Sequence, residues 1–230
     1  IGRQDAPRNK GMLMKRLKVQ DVRNEFIRLK ETNTWSKNTL EIQSVSFEAD
    51  EPSIFGKVNE KYVAAELEWY NSMSRNVNDI AKYYPKVPDI WQNVSSDTGL
   101  INSNYGWCVY SYNNGRQYNI CREKLQDNKD TRHAVMYYTR PTIHDEANFE
   151  GMSDHICTFA VQYHSNNGTL DAHVYMRSND AVFGYNNDFA WQQHVLETLA
   201  EDVDNDVGKI MWNVSSLHVY PNHAGLVHNG

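Results

Sequence analysis

The chain has 230 residues, 40% of them hydrophobic and 12% aromatic, enough to bury a sizeable single core. A net charge of -6 opposes a general nucleic-acid binder, though not a nucleotide enzyme in which a few arginines hold one phosphate. No apolar run reaches the roughly 20 residues that span a bilayer, and residues 1–13 lack a signal-peptide core and are set apart as disordered or vector-derived.

Along the chain, residues 16–30 place Leu17, Val22, Phe26, Ile27 and Leu29 near helical spacing. Residues 40–48 alternate apolar and polar and predict a strand. Residues 59–73 predict a second helix, with Tyr62, Val63, Leu67 and Tyr70 on one side. Residues 79–94 read as a shorter helix interrupted at Pro85 and Pro88, and 118–126 as another helix. The pattern then turns to β-branched and aromatic residues. Strands are predicted at 133–139, 156–164, 170–177 and 210–220, with a turn at Asn166-Asn-Gly168. Residues 189–202 form the strongest helical stripe, through Ala190, Val195 and Leu199. Helices interspersed with strands predict an α+β fold around one mixed sheet, as a single domain over 1–230.

The three cysteines, Cys108, Cys121 and Cys157, match no zinc spacing and are expected as free thiols in a reducing cytoplasm. Taken singly, the chemical candidates have plain structural readings. Cys157 has apolar neighbours and reads as a buried structural thiol. Glu66 reads as part of a solvated helix face, Trp91 as core, and Asp188 as a helix N-cap before Phe189.

Their order and spacing resemble the thymidylate synthase superfamily. Cys157 is followed five residues later by Gln162, then come Arg177, Ser178, Asp180 and Asp188, and then His218-Val-Tyr220. Upstream, Glu66-Leu-Glu-Trp-Tyr70, the pair Trp91 and Tyr105-Gly106, and Asp130-Thr-Arg-His133 resemble further family segments. The likeness runs from about residue 40 to 223 and is nearest to the phage-type branch that hydroxymethylates cytosine nucleotides.

The resemblance implies a thymidylate-synthase-like fold, with helices packed on one side of the mixed sheet and the other face used by a homodimer. It implies Cys157 as the nucleophile, Glu66 as organiser of catalytic water and Tyr105 as an active-site tyrosine. Arg177, with Arg132 reaching from the partner subunit, would hold the 5′-phosphate. Ser178, Gln162, His218 and Tyr220 would bind nucleotide, and Trp91 and Asp180 would lie on the folate side. Lys37 stands near where the family carries an arginine phosphate loop, and His133 replaces the second arginine of the cross-dimer pair. The co-substrate implied is 5,10-methylenetetrahydrofolate, with no metal. The substrate implied is dCMP, in the cytoplasm of a phage-infected cell.

The chemistry needs these groups. C5 of a pyrimidine is a poor nucleophile, and thiolate addition at C6 places electron density on it. The uracil enzymes of the superfamily carry Asn at the position of Asp188. Cytosine offers an amino donor at C4 and an acceptor at N3, an edge that suits a carboxylate. A mismatched buried polar pair gives strong discrimination. Methylation of dCMP, action on CMP or dUMP, a non-catalytic nucleotide- or RNA-binding role, and a cysteine hydrolase using His155 stand as alternatives.

Overall fold

The computed structural model describes residues 16–36 and 38–228. The Lys37 expectation and that for residues 1–13 lie outside the described residues. Strands β1 (Leu17–Lys18), β2 (Leu40–Glu48), β3 (Val135–Tyr137), β4 (Thr158–Asn166), β5 (Thr169–Met176), β6 (Asn179–Asp180) and β7 (Asp206–Val219) form one sheet. Its order is β1-β2-β7-β5-β4-β3, with β6 also on β7. The helices are α1 (Val19–Glu31), α2 (Glu60–Asn71), α3 (Asp89–Val94), α4 (Tyr105–Tyr110), α5 (Gln117–Asp127), α6 (Ile143–Glu146) and α7 (Gly184–Asp202). The mixed α+β architecture is the one expected.

The sheet mixes antiparallel pairs (β2/β7, β4/β5, β3/β4) with the parallel pairs β1/β2, β5/β7 and β6/β7. Alternation along each strand sends Phe47, Trp212, Val174 and Val161 into the core. There they join Phe26 of α1 and Trp191, Val195 and Leu199 of α7 in one hydrophobic cluster. The opposite face, along the register line Ser46–Asn213–Tyr175–Ala160–Tyr137, is exposed or half-buried. The β4–β5 turn holds Asn167 at φ 52° and Gly168 at φ 88°, the positive angles a tight hairpin needs.

Several boundaries differ from the sequence reading. Residues 79–94 split into a 3-10 turn (Val77–Lys82) and α3, because Pro88 starts the second helix as its N-cap. Helix α4, unpredicted, is capped by the Asn104 side chain, which accepts from Trp107 N at 2.8 Å. It packs so tightly on α2 that a Cβ at Gly106 would stand 1.7 Å from the Tyr70 carbonyl oxygen. Helix α7 begins at Gly184, five residues before the predicted start, so Asp188 is inside the helix and is not its N-cap. Leu17, expected in a helix core, is a strand residue and 40% exposed. Among the described residues no helix is long and apolar enough to cross a membrane.

Candidate active site

A cavity of about 960 Å³ opens where the C-terminal end of β5, the N-terminal half of α7, the C-terminal end of β7 and the helices α2 and α3 meet. Its walls carry ten of the residues singled out from sequence: Glu66, Trp91, Tyr105, Cys157, Arg177, Ser178, Asp180, Asp188, His218 and Tyr220.

Cys157 ends the loop that leads into β4. Asp154 anchors that loop. Its buried carboxylate accepts from the backbone N–H groups of Asn102 and Ser103 and from the Ser103 hydroxyl, each at 2.7 Å. Arg177, just past β5, crosses to the same loop. Its Nη2 donates to the His155 carbonyl at 2.5 Å and lies 3.4 Å from the Cys157 sulfur, and its Nε donates to the Ile156 carbonyl at 3.2 Å. Burial pushes the Cys157 thiol up to about 11; Arg177 opposes that rise, while Asp188 and Asp154 add to it. The resting sulfur is therefore a thiol held beside Arg177, a cation that favours its ionisation. The contact between His155 and the sulfur runs through the His155 backbone carbonyl at 3.9 Å, and the His155 ring lies edge-on to His144. That arrangement gives a Cys–His hydrolase no support.

Glu66 is 4% exposed, contrary to a solvated helix face. The Tyr62 hydroxyl, one helical turn earlier, donates to its carboxylate at 2.5 Å. Trp91 Nε1 donates to Tyr62 OH at 2.9 Å and to Glu66 at 3.2 Å. Burial lifts Glu66 to about 7, against both donors. Asp188 faces the same space from α7. Burial and the nearby Glu66 charge raise it to about 8, opposed by hydrogen bonds from Tyr105 and Asn179. The Asn179 Nδ2 donates to Asp188 Oδ2 at 2.7 Å. The Tyr105 hydroxyl accepts from Thr158 Oγ1 at 3.0 Å, leaving its own hydrogen for the carboxylate. Two carboxyls lifted into the neutral range, a thiol and an arginine in one cavity form a proton-handling constellation.

His218 is buried, and its ring meets the exposed Tyr220 ring edge-on at 4.9 Å. Asp180 acts on its own neighbourhood. Its carboxylate accepts from the N–H groups of Val182, Phe183 and Gly184 at 3.0–3.3 Å, at the start of α7. Two predicted residues lie apart from the cavity in the single chain. Arg132 is exposed and lines a separate shallow hollow with Lys124, Asp127 and His133. The Gln162 amide donates to the Arg132 carbonyl at 3.1 Å. Sequence reading missed Tyr62, Asp154 and Asn179. The first was signalled by its place four residues before Glu66, the last by lying between Ser178 and Asp180. Among the described residues no group of three or more His, Cys, Asp or Glu could hold a metal ion.

A model of the thymidylate synthase family matches residues 30–229. The chain is similar to the deoxycytidylate 5-hydroxymethyltransferase of Enterobacteria phage T4, at 48% identity over 196 residues, 82% of this chain and 78% of the relative. The enzymes of that name from phages T2 and T6 align with the same figures. A thymidylate synthase from Baumannia cicadellinicola is 24% identical over 163 residues, 69% of this chain and 59% of its own. The match across most of the sequence, on the mixed sheet and cavity described above, means that the chain belongs to the thymidylate synthase family.

Proposed function

We propose that the chain is a dCMP 5-hydroxymethylase, a transferase that adds a one-carbon unit from 5,10-methylenetetrahydrofolate to C5 of the cytosine base. The observation that carries the reading is Asp188, a carboxyl lifted to about 8, in the same cavity as Cys157 and Glu66. Cavity volume and lining fit two ligands. The half-buried Trp91 and the exposed Ile90 and Phe183 offer flat apolar surface for a bicyclic ring, and the opposite wall is polar.

When bound, methylenetetrahydrofolate would supply the carbon and leave it at C5 as an exocyclic methylene after loss of the C5 proton. The residues divide the remaining work. Cys157 adds to C6 as thiolate, with Arg177 beside the sulfur favouring that form. Arg177 also has guanidinium edge left for a phosphate, and Ser178, His218 and Tyr220 line the route along which the sugar would lie. Asp188 pairs with N3 and the C4 amino group. Glu66, tuned near neutrality, holds the water that adds to the methylene and takes its proton, and the electrons returned to the ring expel Cys157 from C6 as thiolate, which breaks the C6–S bond and frees the product.

The open sheet face supports a homodimer, in which the partner's Arg132, distant from the cavity of its own chain, would complete the phosphate site and Gln162 would brace that segment. The likeness to phage enzymes supports a role on DNA precursors in an infected cell.

Mass analysis of products tests the reading, with dCMP, CMP and dUMP incubated in parallel with methylenetetrahydrofolate. Gain of CH2O on dCMP alone is expected. Gain of CH2 makes the enzyme a methylase, and product from dUMP or CMP overturns the base or sugar assignment. Sedimentation of the protein tests the dimer.

A further inference from the structure

A single carboxyl is an ambiguous reader of a pyrimidine edge. When protonated it presents one O–H donor and one carbonyl acceptor, and it can exchange them by moving the proton from one oxygen to the other. In one sense it matches cytosine, with an acceptor at N3 and a donor at C4. In the other it matches uracil, with a donor at N3 and an acceptor at C4. Burial keeps Asp188 largely protonated at neutral pH, so some other group must remove this freedom.

We propose that Asn179 is a positioning residue that fixes which oxygen of Asp188 carries the acid proton, and that this lock makes the site select cytosine over uracil. The inference rests on the reading of Asp188 as the group that faces the base. Asn179 Nδ2 donates to Asp188 Oδ2 at 2.7 Å. A protonated hydroxyl oxygen is a poorer acceptor than a carbonyl oxygen, so the donor holds Oδ2 as carbonyl and confines the proton to Oδ1. The geometry is rigid. Asn179 is 3% exposed and its backbone is paired with Leu217 in the sheet, while Asp188 is fixed within α7. The far end of the amide supplies a second observation. Asn179 Oδ1 is buried and, among the described residues, has no hydrogen-bond partner. An orphaned buried acceptor destabilises a fold by about 1–3 kcal/mol, so folding alone does not account for an amide here. Among the described residues the amide's one bond is the one to Asp188. Among the described residues, titratable groups that interact with Asp188 include Glu66, Tyr70, Tyr105, Cys157 and Asp180. Of these, Tyr105 also donates to the carboxyl.

The test is equilibrium binding of dCMP and dUMP, without folate, by calorimetry across a pH range from about 6 to 9.5, chosen to bracket the Asp188 value. Four proteins are compared: the parent, Asn179→Ala, Asn179→Leu and Asp188→Asn. In the parent, preference for dCMP is expected to persist on the acid side, where Asp188 is protonated. In the Asn179 variants that preference should fall by roughly tenfold or more, the scale of one hydrogen bond to a charged or acidic partner. It should return on the alkaline side, where the ionised carboxylate repels O4 of uracil, with a midpoint displaced upward because a donor to the carboxylate is gone. A purely structural Asn179 would weaken both nucleotides together and leave ratio and midpoint in place, which overturns the proposal. So does a parent whose own preference collapses on the acid side, a result that needs no variant to fold. If Asp188→Asn keeps the dCMP preference, the assignment of Asp188 itself fails, a separate outcome.

Discussion

Glu66→Gln should make the protein more stable and inactive. The isolated glutamate titrates near 4.5, and burial lifts Glu66 to about 7. At about 1.36 kcal/mol per pH unit that difference corresponds to ~3 kcal/mol. The sign follows from proton uptake. Between roughly pH 4.5 and 7 the folded state holds a proton that the unfolded chain has released, so stability falls as pH rises through that window and is level above it. Glutamine resembles the protonated acid in shape and never ionises, so the variant lacks this contribution to the slope. Urea unfolding at pH 5, 7 and 8, read as midpoint at constant m-value, should show the parent losing about 2–3 kcal/mol relative to Glu66→Gln between the extremes. Because the Glu66 charge helps raise Asp188, the variant should also bring Asp188 down. Turnover should be lost while dCMP binding remains, the trade expected where a buried acid is kept for chemistry. Parallel stability–pH curves for the two proteins would refute the burial argument, and a variant with full turnover would refute the role of Glu66.

Alkylation by iodoacetamide at pH 8, mapped by mass spectrometry, should mark Cys157 first but slowly, since its thiol is pushed to about 11 and Cys108 and Cys121 to about 12; Arg177→Leu should slow it further, and acceleration would contradict the placement of that guanidinium. Asp154→Asn removes a charge that pushes the thiol up but breaks part of the loop anchor, so Cys157 should label faster while the fold loses roughly 1–3 kcal/mol; unchanged labelling and stability would count against the anchor. Gly106→Ala should cost more than about 4 kcal/mol and yield little folded protein, because its methyl would meet the Tyr70 carbonyl; a normal thermal melt would show that α2 and α4 can part. Tyr62→Phe should raise the acid limb of the kcat–pH profile by roughly one unit, since it deletes a donor to ionised Glu66, and an unmoved limb would exclude Tyr62 from the network.

Much of the sheet was legible because alternation is a local signal. The 40–48 strand was read to the residue, and the Asn167-Gly168 hairpin followed from turn chemistry. Helix α7 was read short because Asp188 has the residue type of an N-cap before Phe189. In the fold Asn186 is buried and the Asp180 carboxylate holds the helix start, tertiary facts that outweigh propensity. Helix α4 was missed because six residues carry too little periodicity. Most candidate site residues were found because their order and spacing resemble the thymidylate synthase family, yet their charge states were not, because desolvation depends on what packs around them. The role of Asn179 was hidden for a similar reason. One asparagine among many in this chain is distinguished only by a neighbour nine residues on, across a helix start.

The place of β7 between β2 and β5 has a consequence for biosynthesis. Ser46 and Asn213, hydrogen-bonded across β2 and β7, are 167 residues apart in sequence. At about 5–20 residues per second on a ribosome, β2 waits on the order of 10–30 s for its partner strand. During that interval the emerging chain can form α1 and the β4–β5 hairpin, but the N-terminal strand has an unpaired edge and the pocket lacks His218 and Tyr220. Catalytic competence is thus a late event in synthesis, and a nascent chain stopped before β7 exposes a sticky edge suited to chaperone capture.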